Sequence, residues 1–483
     1  MDRSKFIFKN EISDSVYKKA IRKKAKYLRK FGDDSDTVYR LSSRPASAIG
    51  KALGVQNIVI GGAENCKFDD RSVVIGNIRM GFGHYRISMA IASAAHAMGY
   101  VPYWFDLHSF TQTTGGKIIA EQNRMYSLAS RLSQQIPLFN KLVWEPLNSE
   151  GFRKLSYNAG DQKTAELMTS VFRELPRDIP YIATHVWPAQ AAVHAGLHNV
   201  VNAIPDNWPM ALHLAEGSIH TVQTPSSYLG YRALRGMDKK RQLKPMPKDS
   251  VVYTGHYIDH ELVSNIGADC AMRTDRACSG KAKRWLMSVG GAGAQKEIFV
   301  TVIRQLMPYI KKGRAVLFVN VGDHINVWKE LCAEIPGMKP FVTEHFNDFA
   351  ETSEFAESAY EGSPKGIHAF CHGDIFAAVY STNLLMRCSD VLITKPSELA
   401  FYPIPKLMIK RVGGHEAWGA IRAAEIGDGT YECSTPAETA AMLRLIQNNG
   451  DIIARMCDSI ITADKVEIYN GAYNVVKLAV GRK

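Results

Sequence analysis

Residues 390–430 read DVLITKPSELAFYPIPKLMIKRVGGHEAWGAIRAAEIGDGT. The apolar run 391–393 predicts a short strand of a sheet covered on both faces. A polar turn follows it, Thr394-Lys395-Pro396-Ser397-Glu398. Next come a short helix, a second apolar strand at 406–409, and the turn Gly413-Gly414-His415-Glu416 opening another helix. This alternation predicts a parallel α/β sheet, in which ligands bind at the carboxyl ends of strands. Both polar turns fall at such ends. A carboxylate beside a glycine turn suits a ligand with sugar hydroxyls and phosphate, because bare backbone N–H groups hold the phosphate.

Outward from that stretch, strand, glycine turn and helix recur twice, predicting two Rossmann-like domains. The second series runs over 283–462. It opens with an apolar strand at 285–289 and the turn Gly290-Gly291-Ala292-Gly293-Ala294-Gln295. The N–H groups of that turn can cradle a pyrophosphate. No Gly-Lys-Ser/Thr follows, so it is not a P-loop. The first series runs over 71–260, with strands expected near 72–78, 100–105, 181–183, 200–204, 219–222 and 251–253. Its glycine turn is GNIRMGFGHYRIS, residues 76–88. Gly81 and Gly83 let backbone and ligand approach closely, and His84 sits at the helix mouth, where an imidazole can move a proton near neutral pH. Arg86 stands where a dinucleotide fingerprint has its third glycine. The chain loses periodicity over 255–283, where the domain joint is expected. Residues 1–70 read as a basic helical extension and 463–483 as a C-terminal helix.

The 483 residues exceed one ordinary core, and 46% hydrophobic with 22% charged residues is a globular composition. No uninterrupted apolar run reaches the ~18 residues of a spanning helix. The N-terminus lacks an apolar signal core, and eight cysteines without a C-x-x-C pair fit a reducing, cytoplasmic setting. The formal charge is +12, and residues 18–30 hold eight basic residues and no acid. Tyr17, Ile21, Leu28 and Phe31 share one helical face there, so residues 16–31 either lie on an anionic membrane surface or dock their stripe on the main body. No nucleic-acid motif accompanies the charge, so no nucleic-acid partner is expected. The lone Asp-x-Asp, Asp34-Ser35-Asp36, is in a polar segment away from any predicted strand end, and the i,i+4 histidine pairs lack a third ligand. No metal is expected.

These motifs resemble a glycosyltransferase group: the monogalactosyldiacylglycerol synthases, the processive diacylglycerol glucosyltransferases and the lipid-I N-acetylglucosaminyltransferase. The likeness covers roughly residues 72–450. It is carried by GFGHYRISMAIASA, YIATHVWPAQ, NVVNAIPDNWPMALHLAEGSIHTVQTPSSYLGYRAL, VYTGHYIDHEL, SVGGAGAQ, SELAFYPIPKLMI and GGHEAWGAIRAAEIGDG. The chain departs from it in a loop shortened to Lys-Pro-Ser before Glu398 and in His415-Glu416 replacing an amide-bearing pair. The resemblance implies the GT-B fold, two Rossmann-like domains facing a cleft. It implies an acceptor in the first domain, a nucleotide sugar (a UDP sugar) in the second, inversion, and no bound cofactor or catalytic metal. By that likeness Glu398 holds ribose hydroxyls, with Ser397 beside it. Gly290, Gly291, Gly293, Ala294 and Gln295 face the diphosphate or the sugar, and Gly414, His415 and Glu416 lie near the sugar. Gly81, Gly83, His84 and His185 face the acceptor. His84 is the favoured base and Asp206 the second candidate, with Lys395 adding charge at the leaving diphosphate. A lipid-linked acceptor would place the protein at the inner face of the membrane. The competing readings are a sugar-nucleotide 2-epimerase, a non-catalytic sugar-nucleotide binder and a dinucleotide oxidoreductase.

Overall fold

The structure is a computed structural model that describes residues 2–62, 65–79, 81–136, 142, 146–290 and 295–482. Contacts divide the chain into two units. The first comprises Met1–Asp259, Gly413–His415 and Asn470–Lys483; the second comprises His260–Val412 and Glu416–Tyr469. Each is a Rossmann-like α/β unit.

In the first unit a short hairpin, β1 (Phe6–Ile7) and β2 (Asn10–Glu11), precedes the sheet. The sheet strands are β3 (Leu41–Pro45), β4 (Gln56–Ile60), β5 (Ser72–Asn77), β6 (Val101–Asp106), β7 (Tyr181–Ala183), β8 (Val200–Ala203), β9 (Ile219–Val222) and β10 (Val251–Tyr253). Their order is β10-β9-β8-β7-β5-β6-β4-β3, with β3 alone antiparallel to its neighbour. β5 is buried at every position, as a strand covered on both faces must be. It pairs with β6 on one side and β7 on the other. The chain thus reverses its direction of growth at β5, and the carboxyl ends of β5 and β7 form the switch point.

The second unit repeats the plan with β11 (Lys283–Ser288), β12 (Ala315–Asn320), β13 (Val342–Phe346), β14 (Gly366–Cys371), β15 (Val391–Thr394) and β16 (Lys406–Met408). All six are parallel, in the order β13-β14-β12-β11-β15-β16. β11 pairs with β12 on one side and β15 on the other, so its switch point lies at the ends of β11 and β15.

Three expectations change. Residues 1–70 are not a separate helical extension: β3 and β4 are strands of the first sheet. The stretch expected as an aperiodic joint carries helices His260–Ser264 and Ile266–Cys278, the second of which buries Ile266, Cys270 and Arg273. The C-terminal helix is two, Gly450–Lys465 and Gly471–Val480. The last belongs to the first unit, where Asn199 Nδ2 donates to the Ala479 carbonyl at 2.7 Å.

The basic helix spans Asp14–Phe31 and buries Ala20 and Tyr27, with Leu28 and Phe31 packed on the same core. Lys23 pairs with Asp161 at 3.2 Å, Lys24 with Glu166 at 2.6 Å, and Lys30 with Glu121. Of the apolar stripe only Ile21, 43% exposed, stays at the surface. Of the two alternatives for this stripe, docking on the main body is the one the fold adopts. Among the described residues no helix is long and apolar enough to cross a membrane.

Candidate functional site

At the first switch point β5 runs out into Gly81, whose φ of +77° is a left-handed turn that favours glycine. Gly83 then opens the helix Gly83–Ala97, putting His84 in its first turn. The His84 Nδ1 lies 2.7 Å from the carbonyl oxygen of Thr184, the residue after β7. A carbonyl only accepts, so Nδ1 carries the proton and Nε2 is the nitrogen that can take one. One turn on, the Ser88 and Thr184 hydroxyls meet at 2.7 Å. His185 packs edge-on against His84 with ring centroids 4.7 Å apart. Its Nδ1 accepts the Trp187 N–H at 3.1 Å, capping the helix Val186–His194. Burial, then the neighbouring His84, holds the His185 imidazole well below its ordinary pKa, so it stays neutral.

Asp206 follows β8 by three residues, and its neighbours are pinned. Gln223 Nε2 donates to the Pro205 carbonyl at 2.7 Å, and the Ser227 hydroxyl donates to Asn207 Oδ1 at 2.6 Å. The Asp206 Oδ2 lies 2.9 Å from His213 Nε2. Burial pushes this carboxyl up, but the His213 hydrogen bond together with the charges of His415, His213 and His84 holds the group below the usual carboxylate range. A carboxylate so stabilised is a poor proton acceptor. Its partner here is His213, a residue the sequence reading missed. The two are seven apart in an irregular segment, where no periodicity announces a contact.

At the second switch point β11 ends beside Gly290; Gly291, Gly293 and Ala294 lie outside the described residues. Gln295 is buried and its Nε2 donates to the Lys410 carbonyl, tying the start of helix Lys296–Lys311 to the exit of β16. Its amide N–H₂ is thus engaged by backbone. On β15's exit, Lys395 forms an ion pair with Glu416, whose other oxygen accepts the Val412 N–H at 2.7 Å. A Cβ placed on Gly290 would lie 3.8 Å from Lys395 Cε, so the lysine stem passes over the end of β11. The Ser397 N–H donates to the Lys395 carbonyl at 2.8 Å, and half-buried Glu398 begins the 3₁₀ turn Glu398–Phe401. Gly414, His415 and Glu416 form another 3₁₀ turn, but Gly414 and His415 group with the first unit and Glu416 with the second. The Lys395–Glu416 pair, 21 residues apart, was not foreseen.

Among the described residues no group of three or more His, Cys, Asp or Glu is arranged to hold a metal ion. One of the i,i+4 histidine pairs is otherwise engaged: His368 Nδ1 meets His345 Nε2 at 3.0 Å, and His372 Nε2 meets the Thr352 hydroxyl at 3.1 Å.

Residues 6–233 match a family model described as Domain of unknown function (DUF6937), and residues 246–480 match Domain of unknown function (DUF6938). No curated protein sequence matches the chain. Among solved structures, the chain is similar to UDP-GlcNAc 2-epimerase from Neisseria meningitidis bound to UDP-GlcNAc, at 12% identity over 84% of this chain and 98% of that one, TM-score 0.45. It is similar to an α,α-trehalose-phosphate synthase (UDP-forming) from Burkholderia vietnamiensis at 11% identity, 85% and 99% coverage, TM-score 0.45. A third is HepE from Anabaena in complex with UDP and glucose, at 13% identity, 84% and 96% coverage, TM-score 0.38.

Proposed function

We propose that the protein is an inverting glycosyltransferase of GT-B architecture that moves a sugar from a nucleoside-diphosphate sugar, a UDP sugar, to an acceptor hydroxyl. One observation carries the reading: both sheets bring chemistry to their switch points, a proton-accepting imidazole in the first unit and an ammonium with two carboxylates in the second. His84 Nε2 takes the acceptor hydroxyl's proton. The oxygen attacks the anomeric carbon, and the bond from that carbon to the diphosphate oxygen breaks with its electron pair leaving on the diphosphate. Lys395 meets the charge that develops there. Glu398 holds the ribose hydroxyls, and Asp206 keeps His213 oriented beside the acceptor. No catalytic metal is required.

The exposed basic face of the N-terminal helix, Lys18, Lys19, Arg22, Lys26 and Arg29, supports a lipid-linked acceptor at the inner face of the membrane. Its attraction to anionic lipid is by charge rather than insertion. Flotation with anionic and neutral liposomes tests this: charge-reversal of the five residues should abolish binding to the anionic vesicles, and unchanged flotation would remove the membrane role.

The main test incubates the full chain with labelled nucleotide sugars, alone and with a membrane-lipid extract, in the presence of EDTA. Transfer should require the extract and survive EDTA. Isomerised donor formed without acceptor would establish the epimerase instead. Donor binding with no product under any condition would leave a non-catalytic binder.

A further inference from the structure

The Lys395–Glu416 contact has a consequence for the donor site, and it rests on the reading of the second unit as the nucleotide-sugar domain. Lys395 sits at the exit of β15 and its stem crosses Gly290 at the exit of β11, so its ammonium stands at the switch point of that sheet. Ligands of parallel sheets bind there. The ammonium is ion-paired with Glu416 Oε1. The second oxygen of the same carboxylate takes the Val412 N–H at 2.7 Å. One side chain, 8% exposed, therefore bridges a lysine and a backbone amide with its two oxygens. A lysine ammonium and a turn N–H are the donors that phosphate oxygens seek.

We propose that Glu416 is a built-in occupant of the diphosphate subsite, a carboxylate holding the lysine and the amide that a diphosphate engages. A diphosphate binds by displacing Glu416 from Lys395 or by sharing the lysine with it. The apparent affinity for any diphosphate is lowered by the fraction of time the carboxylate holds the site. The penalty falls on donor and product alike, so Glu416 sets how tightly the nucleoside diphosphate product is retained. The residue is thus a specificity and release determinant, not a sugar ligand.

Isothermal titration of the full chain with UDP, GDP, ADP and inorganic pyrophosphate tests this in the wild type, Glu416→Gln, Lys395→Met and the double variant. Glutamine keeps an oxygen for the Val412 N–H and removes the charge. Glu416→Gln should bind the diphosphates about tenfold more tightly than the wild type. Lys395→Met should bind less tightly, and in that background Glu416→Gln should bring no gain, since the carboxylate then has no lysine to withhold. Circular dichroism and melting of each variant verify folding, and Glu416→Ala, which also removes the carboxylate from Lys395 and should show the same gain, replaces Glu416→Gln should that variant prove unstable. Equal or weaker binding by Glu416→Gln, with the wild type binding, would overturn the inference and leave the donor-domain reading intact. A gain that persists without Lys395 would also overturn it. Absence of diphosphate binding in all four proteins would overturn both.

Discussion

At the switch point of the first sheet the side chains brought together are imidazoles; at that of the second they are an ammonium and carboxylates. The strand geometry is the same: a central strand, β5 or β11, with an earlier-added neighbour on one side and a later one on the other. The chemistry diverges because the turns after the strands diverge. His84 is fixed by a backbone carbonyl that sets its tautomer, and His185 by a backbone N–H that sets the opposite one. The first contact places a proton on His84 Nδ1, and the second keeps His185 Nδ1 an acceptor. Lys395 and Glu416 instead satisfy one another, which suits a place that exchanges one anion for another. The shared topology says where to look; the residues after the strands say what happens there.

The sharpest way to break this contrast is His84→Ala. Turnover should fall about 10²- to 10⁴-fold, the usual contribution of a general base, with donor affinity within about twofold of wild type. Steady-state kinetics and donor titration check both; a loss of donor binding would erase the division of labour. Next, the first unit's imidazoles should make it acid-sensitive. His220 is fully buried, accepts the Ala215 N–H at 2.9 Å on Nε2, and burial pushes its pKa from 6.5 down to about 4. The unfolded ring takes its proton near 6.5 and the folded ring only near 4, so between these values the unfolded state binds more protons. Stability should therefore fall as pH drops through that window, by at most ~3 kcal/mol from this group. Denaturant unfolding from pH 7 to pH 4 should show a shallower slope in His220→Asn than in the wild type. In the second unit, Glu398→Ala should weaken donor binding about 10- to 100-fold, the worth of a charged hydrogen-bond acceptor, and leave acceptor binding unchanged. The smallest effect belongs to Asp206→Asn. It should lower kcat/KM about tenfold by loosening His213, with the pH optimum set by His84 unmoved. A loss as large as that of His84→Ala would return Asp206 to the role of base.

Much of the fold was legible in the sequence, for a physical reason. Strands buried on both faces read as unbroken apolar runs, so 391–393 and 406–409 predicted what became Val391–Thr394 and Lys406–Met408. Glycine turns at strand ends marked both switch points. The edge strand Leu41–Pro45 was not legible: its sequence is LSSRP and only its first two residues are buried. Nor was helix Ile266–Cys278, whose core face includes Asp269, Arg273 and Arg276: Arg273 pairs with Asp269 in the helix at 4.0 Å, and Arg276 with Asp390 beyond it at 2.8 Å. The pairs Asp206–His213 and Lys395–Glu416 join residues across turns, where identity depends on backbone path rather than on spacing. Gln295, expected at the diphosphate or the sugar, is tied through its Nε2 to the Lys410 carbonyl, a contact that no spacing announces.

The most direct test is a thermal-melting series with UDP added to the wild type, His84→Ala and Glu398→Ala. A ligand that binds only the folded protein raises its melting temperature by an amount set by concentration over Kd. UDP should stabilise the wild type and His84→Ala alike and have little effect on Glu398→Ala. Full stabilisation of Glu398→Ala, with none in His84→Ala, would contradict the assignment of the nucleotide to the second sheet.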